Sequence, residues 1–302
     1  MSLRLEMRKF MPTHWNRNTH IIVTDYNLAF KDKLKGLALV IYVQDLSAIN
    51  NIINDIKEPT KINAIVYENP YTSLETEDID PNWGNTPIIM KINRLGAFRN
   101  VSDKIELIKR LNITFIFTAN NHQSAIDAQI LASLGIHSGI ALSAETTNWE
   151  ELTDLMTYTF YGTMPHASIE PFSTIEQYYC GTNYVSPLFA EFENPDRYIH
   201  IDAEGNLAFS REELKNKQYF DSGWDKLYNI SAHPAIAERK HRWQEMFIET
   251  HPCTFCPAYR ICGGYFKELP DKSMCQKTMN ELLEGIEFYK KNRCNQKESC
   301  QL

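Results

Sequence analysis

From residue 36 to residue 169 the chain alternates short apolar runs with stretches whose apolar residues recur every three or four positions. No other feature limits the fold as much. Gly36–Val43, Ile62–Tyr67, Pro87–Ile92, Thr114–Thr118, Ile136–Leu142 and Ala167–Ile169 read as strands. Between the first two, Asp45–Lys57 carries Leu46, Ile49, Ile52, Ile53 and Ile56 at helical spacing, with Asp45 as its N-cap. Ser102 is the N-cap expected for the segment bearing Ile105, Ile108 and Leu111, and Asp103 and Glu106 lie in its first turn. Gln123–Leu134 is a helix ending at Gly135, and Trp149–Phe160 is another. Ile21–Tyr26 is an additional strand ahead of the series. Repeated strand–helix–strand units imply parallel strands joined by right-handed crossovers. A barrel, a partial barrel and a doubly wound sheet all satisfy that pattern.

The alternation stops near residue 172. Aromatic and polar residues dominate Phe172–Tyr198. Tyr198–Ile201 and Leu207–Phe209 then flank a turn centred on Gly205, the pattern of a hairpin. Pro234–Ile248 and Met279–Lys290 read as helices, and the last dozen residues are polar and expected to be loose. Two units are therefore expected, residues 1–172 and 173–290, with a polar tail at 291–302.

The 31 Lys and Arg against 38 Asp and Glu leave a net charge of −7, without a basic block. Neither nucleic acid nor an anionic membrane is an expected partner. The longest purely apolar run, Leu37–Val43, falls far short of the ~20 residues of a bilayer span, and the N-terminus lacks the apolar core of a signal peptide. A cytoplasmic location follows as the expectation, and there thiols stay reduced.

The seven cysteines are Cys180, Cys253, Cys256, Cys262, Cys275, Cys294 and Cys300. An odd number in a reducing compartment argues against a disulfide framework and for metal or redox chemistry. Four of them form Cys253-x2-Cys256-x5-Cys262, with Cys275 after twelve further residues. Two cysteines three apart in a tight loop can direct both sulfurs at one centre, and Cys262 and Cys275 can complete a four-thiolate site. Gly263 and Gly264 allow the backbone to turn sharply beside it. Four thiolates suit zinc or an iron–sulfur cluster, although the x2, x5 spacing differs from the paired x2 spacings of a zinc ribbon.

The Cys-x2-Cys-x5-Cys-Gly-Gly element, preceded by a hairpin and followed by one more cysteine, resembles the SPASM domain, the C-terminal extension of many radical S-adenosylmethionine enzymes. The resemblance spans about residues 36–280, and its specific motif is the C-terminal one. It implies an α/β fold: a partial (β/α)6 TIM-like barrel followed by a small cysteine-rich SPASM-like α+β domain. It further implies one auxiliary 4Fe–4S cluster on Cys253, Cys256, Cys262 and Cys275. A second auxiliary cluster of that family would use a cysteine such as Cys180, but two of its other ligand positions fall on Ser210 and Phe266.

The departure from the family is larger in the first half. The Cys-x3-Cys-x2-Cys motif of the radical cluster has no counterpart, because no cysteine precedes Cys180. The family's Gly-Gly-Glu-Pro segment, which contacts the cofactor, corresponds to Val66, Tyr67, Glu68, Asn69 and Pro70, with bulky residues where glycines are expected. S-adenosylmethionine is therefore not an expected cofactor. A degenerate, non-radical member is implied, or a chain lacking an N-terminal part. The implied role is that of an accessory or binding protein in peptide or protein modification, with a peptide or a maturase enzyme as partner. Two other readings stay open. One is an interaction protein held together by structural zinc. The other is an enzyme using the barrel mouth without S-adenosylmethionine, for which Glu170, His122 and His166 are the candidates at the mouth. His251 is a candidate donor beside the metal site, and Cys294 and Cys300 read as surface thiols. No P-loop, G-x-G-x-x-G, G-x-S-x-G or H-E-x-x-H motif occurs.

Overall fold

The computed structural model describes residues 20–27, 32–56, 60–68, 79–93, 104–118, 122–141, 148–180, 186–190, 194–248, 251–259 and 273–299. Ser102, Cys262, Gly263, Gly264, Phe266 and Cys300 lie outside them. The protein is a mixed α/β structure built on a ten-stranded, mostly parallel sheet.

In chain order the elements of the first half are β1 (Ile21–Asp25), β2 (Ala38–Val43), α1 (Ser47–Asp55), β3 (Lys61–Glu68) and β4 (Ile88–Ile92). Next come α2 (Ile105–Arg110), β5 (Ile113–Phe117), α3 (His122–Ser133), β6 (His137–Ile140), α4 (Trp149–Tyr161) and β7 (Ile169–Glu170). The second half adds α5 (Phe172–Tyr179), β8 (Tyr198–Ile201), β9 (Asn206–Ala208), α6 (Arg211–Lys215) and β10 (Asp221–Ser222). It ends with α7 (Pro234–Ile248) and α8 (Ser273–Ser299). β1 to β7 pair in sequence order and all in parallel. β8 then returns to pair, also in parallel, with β1. β9 and β10 extend the sheet antiparallel beyond β8.

The strands bury both faces, as a parallel sheet must when covered on both sides. Along β2, Leu39, Ile41 and Val43 enter the larger core cluster, while Ala38, Val40 and Tyr42 enter the smaller one. Strand β3 repeats this with Ile65 and Tyr67 against Ala64 and Val66. The larger cluster takes the apolar stripes of the helices: Ile49 and Ile52 of α1, Ile108 of α2, Leu131 of α3, Leu152 and Leu155 of α4, Leu282 and Ile286 of α8. The smaller cluster, on the opposite face, is capped by Leu188, Phe189 and Ala190. Helices on one face only are what a singly wound βα series produces, so the doubly wound arrangement is not the one adopted.

The periodic segments appear where the sequence places them, within one to three residues at most ends. Asp45 acts from one position before the formal cap: its carboxylate accepts the Ser47 amide at 2.9 Å. The hairpin turns at Gly205, whose φ of 91° suits glycine. Two expectations need correction. Phe172–Tyr179 is a helix, its aromatic content having obscured a stripe in which Phe172 and Ile175 are buried. And α8 continues to Ser299, well past Lys290. No Gly or Pro follows Gly285 up to that point, and the Lys, Arg, Glu and Gln residues there are good helix formers. α8 packs on the first half: Phe160 meets Tyr289 edge-on at 5.9 Å, Tyr161 meets Phe288 at 4.8 Å, and the Tyr179 hydroxyl donates to Glu287 at 2.9 Å.

Strand β6 approaches β7 closely at Gly139. A Cβ there would lie 2.4 Å from the Glu170 carbonyl oxygen and 2.7 Å from its Cβ. Gly139→Ala is expected to lower stability by about 1–3 kcal/mol through overpacking against backbone. Urea denaturation at fixed pH checks this, and an unchanged midpoint would show that the two strands can separate without cost.

Candidate functional site

In parallel βα sheets ligand sites lie at the C-terminal ends of the strands. Here those ends carry a polar group on the face opposite the helices. The register sets Glu68 beside Lys91, Lys91 beside Ile116, Ile116 beside Gly139 and Gly139 beside Glu170. On the other side of β3, Asp25 pairs with Tyr42. Paired residues of parallel strands point to the same face, so one row across five strands begins and ends in a carboxylate.

Lys91 is buried apart from 10% of its side chain, and its Nζ lies 3.3 Å from Glu68 Oε1. Arg211, the first residue of α6, lays its guanidinium 3.6 Å above the Tyr42 ring and reaches Asp25 at 3.4 Å and Glu68 at 3.6 Å. Helix α6 is fixed there by its own cap. The Ser210 hydroxyl accepts the Glu213 amide at 3.1 Å, and the Glu213 carboxylate accepts the Phe209 amide at 2.8 Å. Ser210, which falls where the resemblance would place a cluster ligand, is thus a helix cap that aims Arg211 across the strand ends.

Burial acts to raise the Glu68 pKa, but the charges of Lys91 and Arg211, with Lys215, outweigh it and hold the carboxyl below its usual range. His200, on β8 and fully buried, responds in the opposite sense: burial, with the Arg211 charge adding to it, pushes its pKa down to about 3. It is neutral at pH 7, and neither ring nitrogen makes a hydrogen bond of normal geometry among the described residues. The Ala190 carbonyl faces the ring and favours its protonation more weakly than burial opposes it.

Glu170 ends β7, as its place in the last strand of the series implied. Burial pushes its carboxyl up to about 7, against which the Thr174 amide, donating to Oε2 at 3.2 Å, pulls the other way. From Glu170 a polar path crosses to β8: Thr174 Oγ1 donates to Ser186 Oγ at 3.2 Å, and the Tyr198 hydroxyl donates to the Ser186 carbonyl at 2.5 Å. This path spans the gap between β7 and β8, which share no ladder among the described residues.

The two histidines named as candidates for the mouth are engaged in other contacts. His122 pairs with Glu151 of α4 at 2.9 Å, with 71% of its side chain exposed, a contact between helices. His166 precedes β7 at the opposite edge, within 2.7 Å of the Ala167 carbonyl, with its ring tilted against Tyr158 at 5.2 Å. Conversely, Lys91 and His200 were visible in the sequence only as single polar residues inside apolar strands, IIMKI and YIHI. That break in an otherwise apolar run was the available signal.

The cysteine segment forms a compact turn. Pro252–Phe255 is a short 3₁₀ helix in which the Cys256 amide donates to the Cys253 carbonyl at 3.2 Å. His251 caps it: its Nδ1 accepts the Cys253 amide at 3.2 Å, and its carbonyl accepts the Thr254 hydroxyl at 2.7 Å. The histidine expected to serve the metal site from alongside therefore shapes the loop that carries Cys253. Cys253 and Cys256 are half-buried, Cys275 is buried at the start of α8, and Cys180 is exposed; each is a thiol. Cys256 and Cys275 both contribute to the larger core cluster. Among the described residues no three His, Cys, Asp or Glu side chains stand together as a metal site.

No protein-family model matches the chain, and the search of curated proteins found no match.

Glu170 makes stability depend on pH. Its folded pKa, about 7, lies above the ordinary 4.5, so the unfolded chain ionises first. The stability present below about pH 4.5 is lost as pH rises through 7, by up to about 3 kcal/mol. Denaturant melts at pH 5 and pH 8 should display this loss in the wild type and lack most of it in Glu170→Gln. Equal slopes in the two proteins would remove Glu170 as the source.

Proposed function

We propose that the chain is a non-radical, SPASM-like accessory protein of peptide or protein modification, acting in the cytoplasm, with one 4Fe–4S cluster on Cys253, Cys256, Cys262 and Cys275. The observation that carries this reading is the tight turn at Cys253–Cys256, in which the Cys256 amide donates to the Cys253 carbonyl, upstream of a buried Cys275. Four thiolates match such a cluster in chemistry. When bound, a cluster fully ligated by cysteine supplies electron transfer or a rigid cross-link, with no open iron. The first half fits the partner role. Its seven parallel strands follow one another in order, and β8 of the second half lies beside β1, an order compatible with a TIM-like barrel. Glu68, which corresponds to the cofactor-contacting glutamate of the resemblance, is instead engaged by Lys91 and Arg211. S-adenosylmethionine has no place in this reading.

Anaerobic purification with iron and sulfide analysis tests it. About four irons and four sulfides per chain are expected, with loss of both in Cys253→Ser and Cys262→Ser. A colourless protein holding zinc would leave the alternative of a zinc-stabilised interaction protein. The second reading, an enzyme that works at the strand ends without S-adenosylmethionine, is favoured by one observation: a carboxyl titrating near neutrality, Glu170, on the same row as Lys91 and Glu68. Any turnover found should then fall at least about a hundredfold in Glu170→Gln.

A further inference from the structure

Resting on the reading of a peptide-binding accessory protein, we propose that the strand-end cluster is its recognition site for a carboxylate, presented by an acidic side chain of the bound peptide, with Arg211 as the principal contact. Three features point there. First, Lys91, Arg211 and Lys215 all bear on one spot, at Glu68. Second, Arg211 is held flat on Tyr42, so its donor edge is oriented in advance; a guanidinium fixed in this way can grip a carboxylate with two parallel hydrogen bonds. Third, His200 lies on the same face of the neighbouring strand, fully buried, its ring facing the Ala190 carbonyl without a hydrogen bond of normal geometry. The register places it opposite Val23, one side-chain layer below Asp25. A buried donor so poorly paired is costly, and a better-placed ligand oxygen would relieve that cost.

Asp25 marks where the ligand enters. Its side chain is 78% exposed and meets Arg211 at 3.4 Å, while only 18% of the Arg211 side chain is exposed. An ion pair with one partner so exposed is weak and screened. An incoming carboxylate can take the place of Asp25 on Arg211 while Glu68 keeps its own contacts with Lys91 and Arg211. The same chemistry would accept a free phosphate, so the source of the anion has to be separated experimentally.

Fluorescence anisotropy with a labelled ten-residue Glu/Gly peptide, beside a Lys/Gly peptide of equal length, provides the test. The acidic peptide should bind at least about tenfold more tightly, and Arg211→Met and Lys91→Met should each weaken it at least about tenfold. Asp25→Asn should strengthen binding, because it removes the competing carboxylate; a simple loss of fold cannot produce that result. His200→Phe, which keeps the buried volume, should weaken it. The proposal is overturned if both peptides bind alike, if Arg211→Met binds as the wild type does, or if Asp25→Asn weakens binding. Inorganic phosphate displacing the peptide at equal concentration would reassign the site to a free anion and overturn the peptide source. Iron and sulfide measured on the same preparations keep the two readings apart: Arg211→Met should retain its metal content, while a metal-free wild type that still binds the acidic peptide would sink the cluster and leave this site standing.

Discussion

Strands β1 to β5 have apolar residues on both faces, and the packing of those faces organises the rest of the molecule. Residues one apart along β2 or β3 enter different cores, so each strand is clamped from both sides. Burying a single Ile, Leu or Val side chain contributes about 1.5–3 kcal/mol. A register slip by one residue would exchange the two sets, placing Leu39 and Ile41 where Val40 and Tyr42 now meet Ala190. The helices supply one cover. The other comes from 186–190, a segment without βα regularity, which explains why the second half cannot be treated apart from the sheet it covers.

With the register held in this way, the polar ends of the strands meet at one edge. Asp25, Glu68, Lys91 and Glu170 come from four strands and share one face, and the arginine that ties the first two together arrives from the far side of the hairpin. Its placement depends on a short helix of five residues, which alone would be unstable. The Ser210 cap, the Glu213 carboxylate and stacking on Tyr42 hold it. Glu213 also pairs with Arg239 of α7, so the cap is linked to the next helix as well. The result is a cluster of opposite charges, Lys91 and Arg211 with Glu68 and Asp25, fixed at the strand ends.

Much of the architecture could be read from residue order. The 3.6-residue and unbroken apolar periods located all the strands of the first half, the hairpin at Gly205 and the helix at Pro234–Ile248. The cysteine spacing singled out the turn at Cys253–Cys256, because two thiols three apart demand a tight loop whatever surrounds them. The site at the strand ends was barely legible. Glu170 was recognised from its place at the end of a strand, and Glu68 from its position in a motif. Asp25, Tyr42, Lys91, His200 and Arg211 are spread over nearly two hundred residues, and no local pattern connects Arg211 with Tyr42. His122 and His166 make the surface and hydrogen-bonded contacts that lone histidines more often make, because chain position gives the end of an element, not the side to which its neighbours pull a ring.

What the amino-acid sequence determined by itself was therefore local and periodic: where strands and helices form, that the strands run parallel, and which four thiols stand close along the chain. Only the tertiary structure decided that the helices joining the first-half strands cover one face, that β8 returns to β1, and that a helix cap in the second half brings an arginine over the strand ends of the first. The reason is physical. Periodicity reports which residues must leave water, but the pairing of distant charges depends on strand order and register, and these are set by packing across the whole sheet.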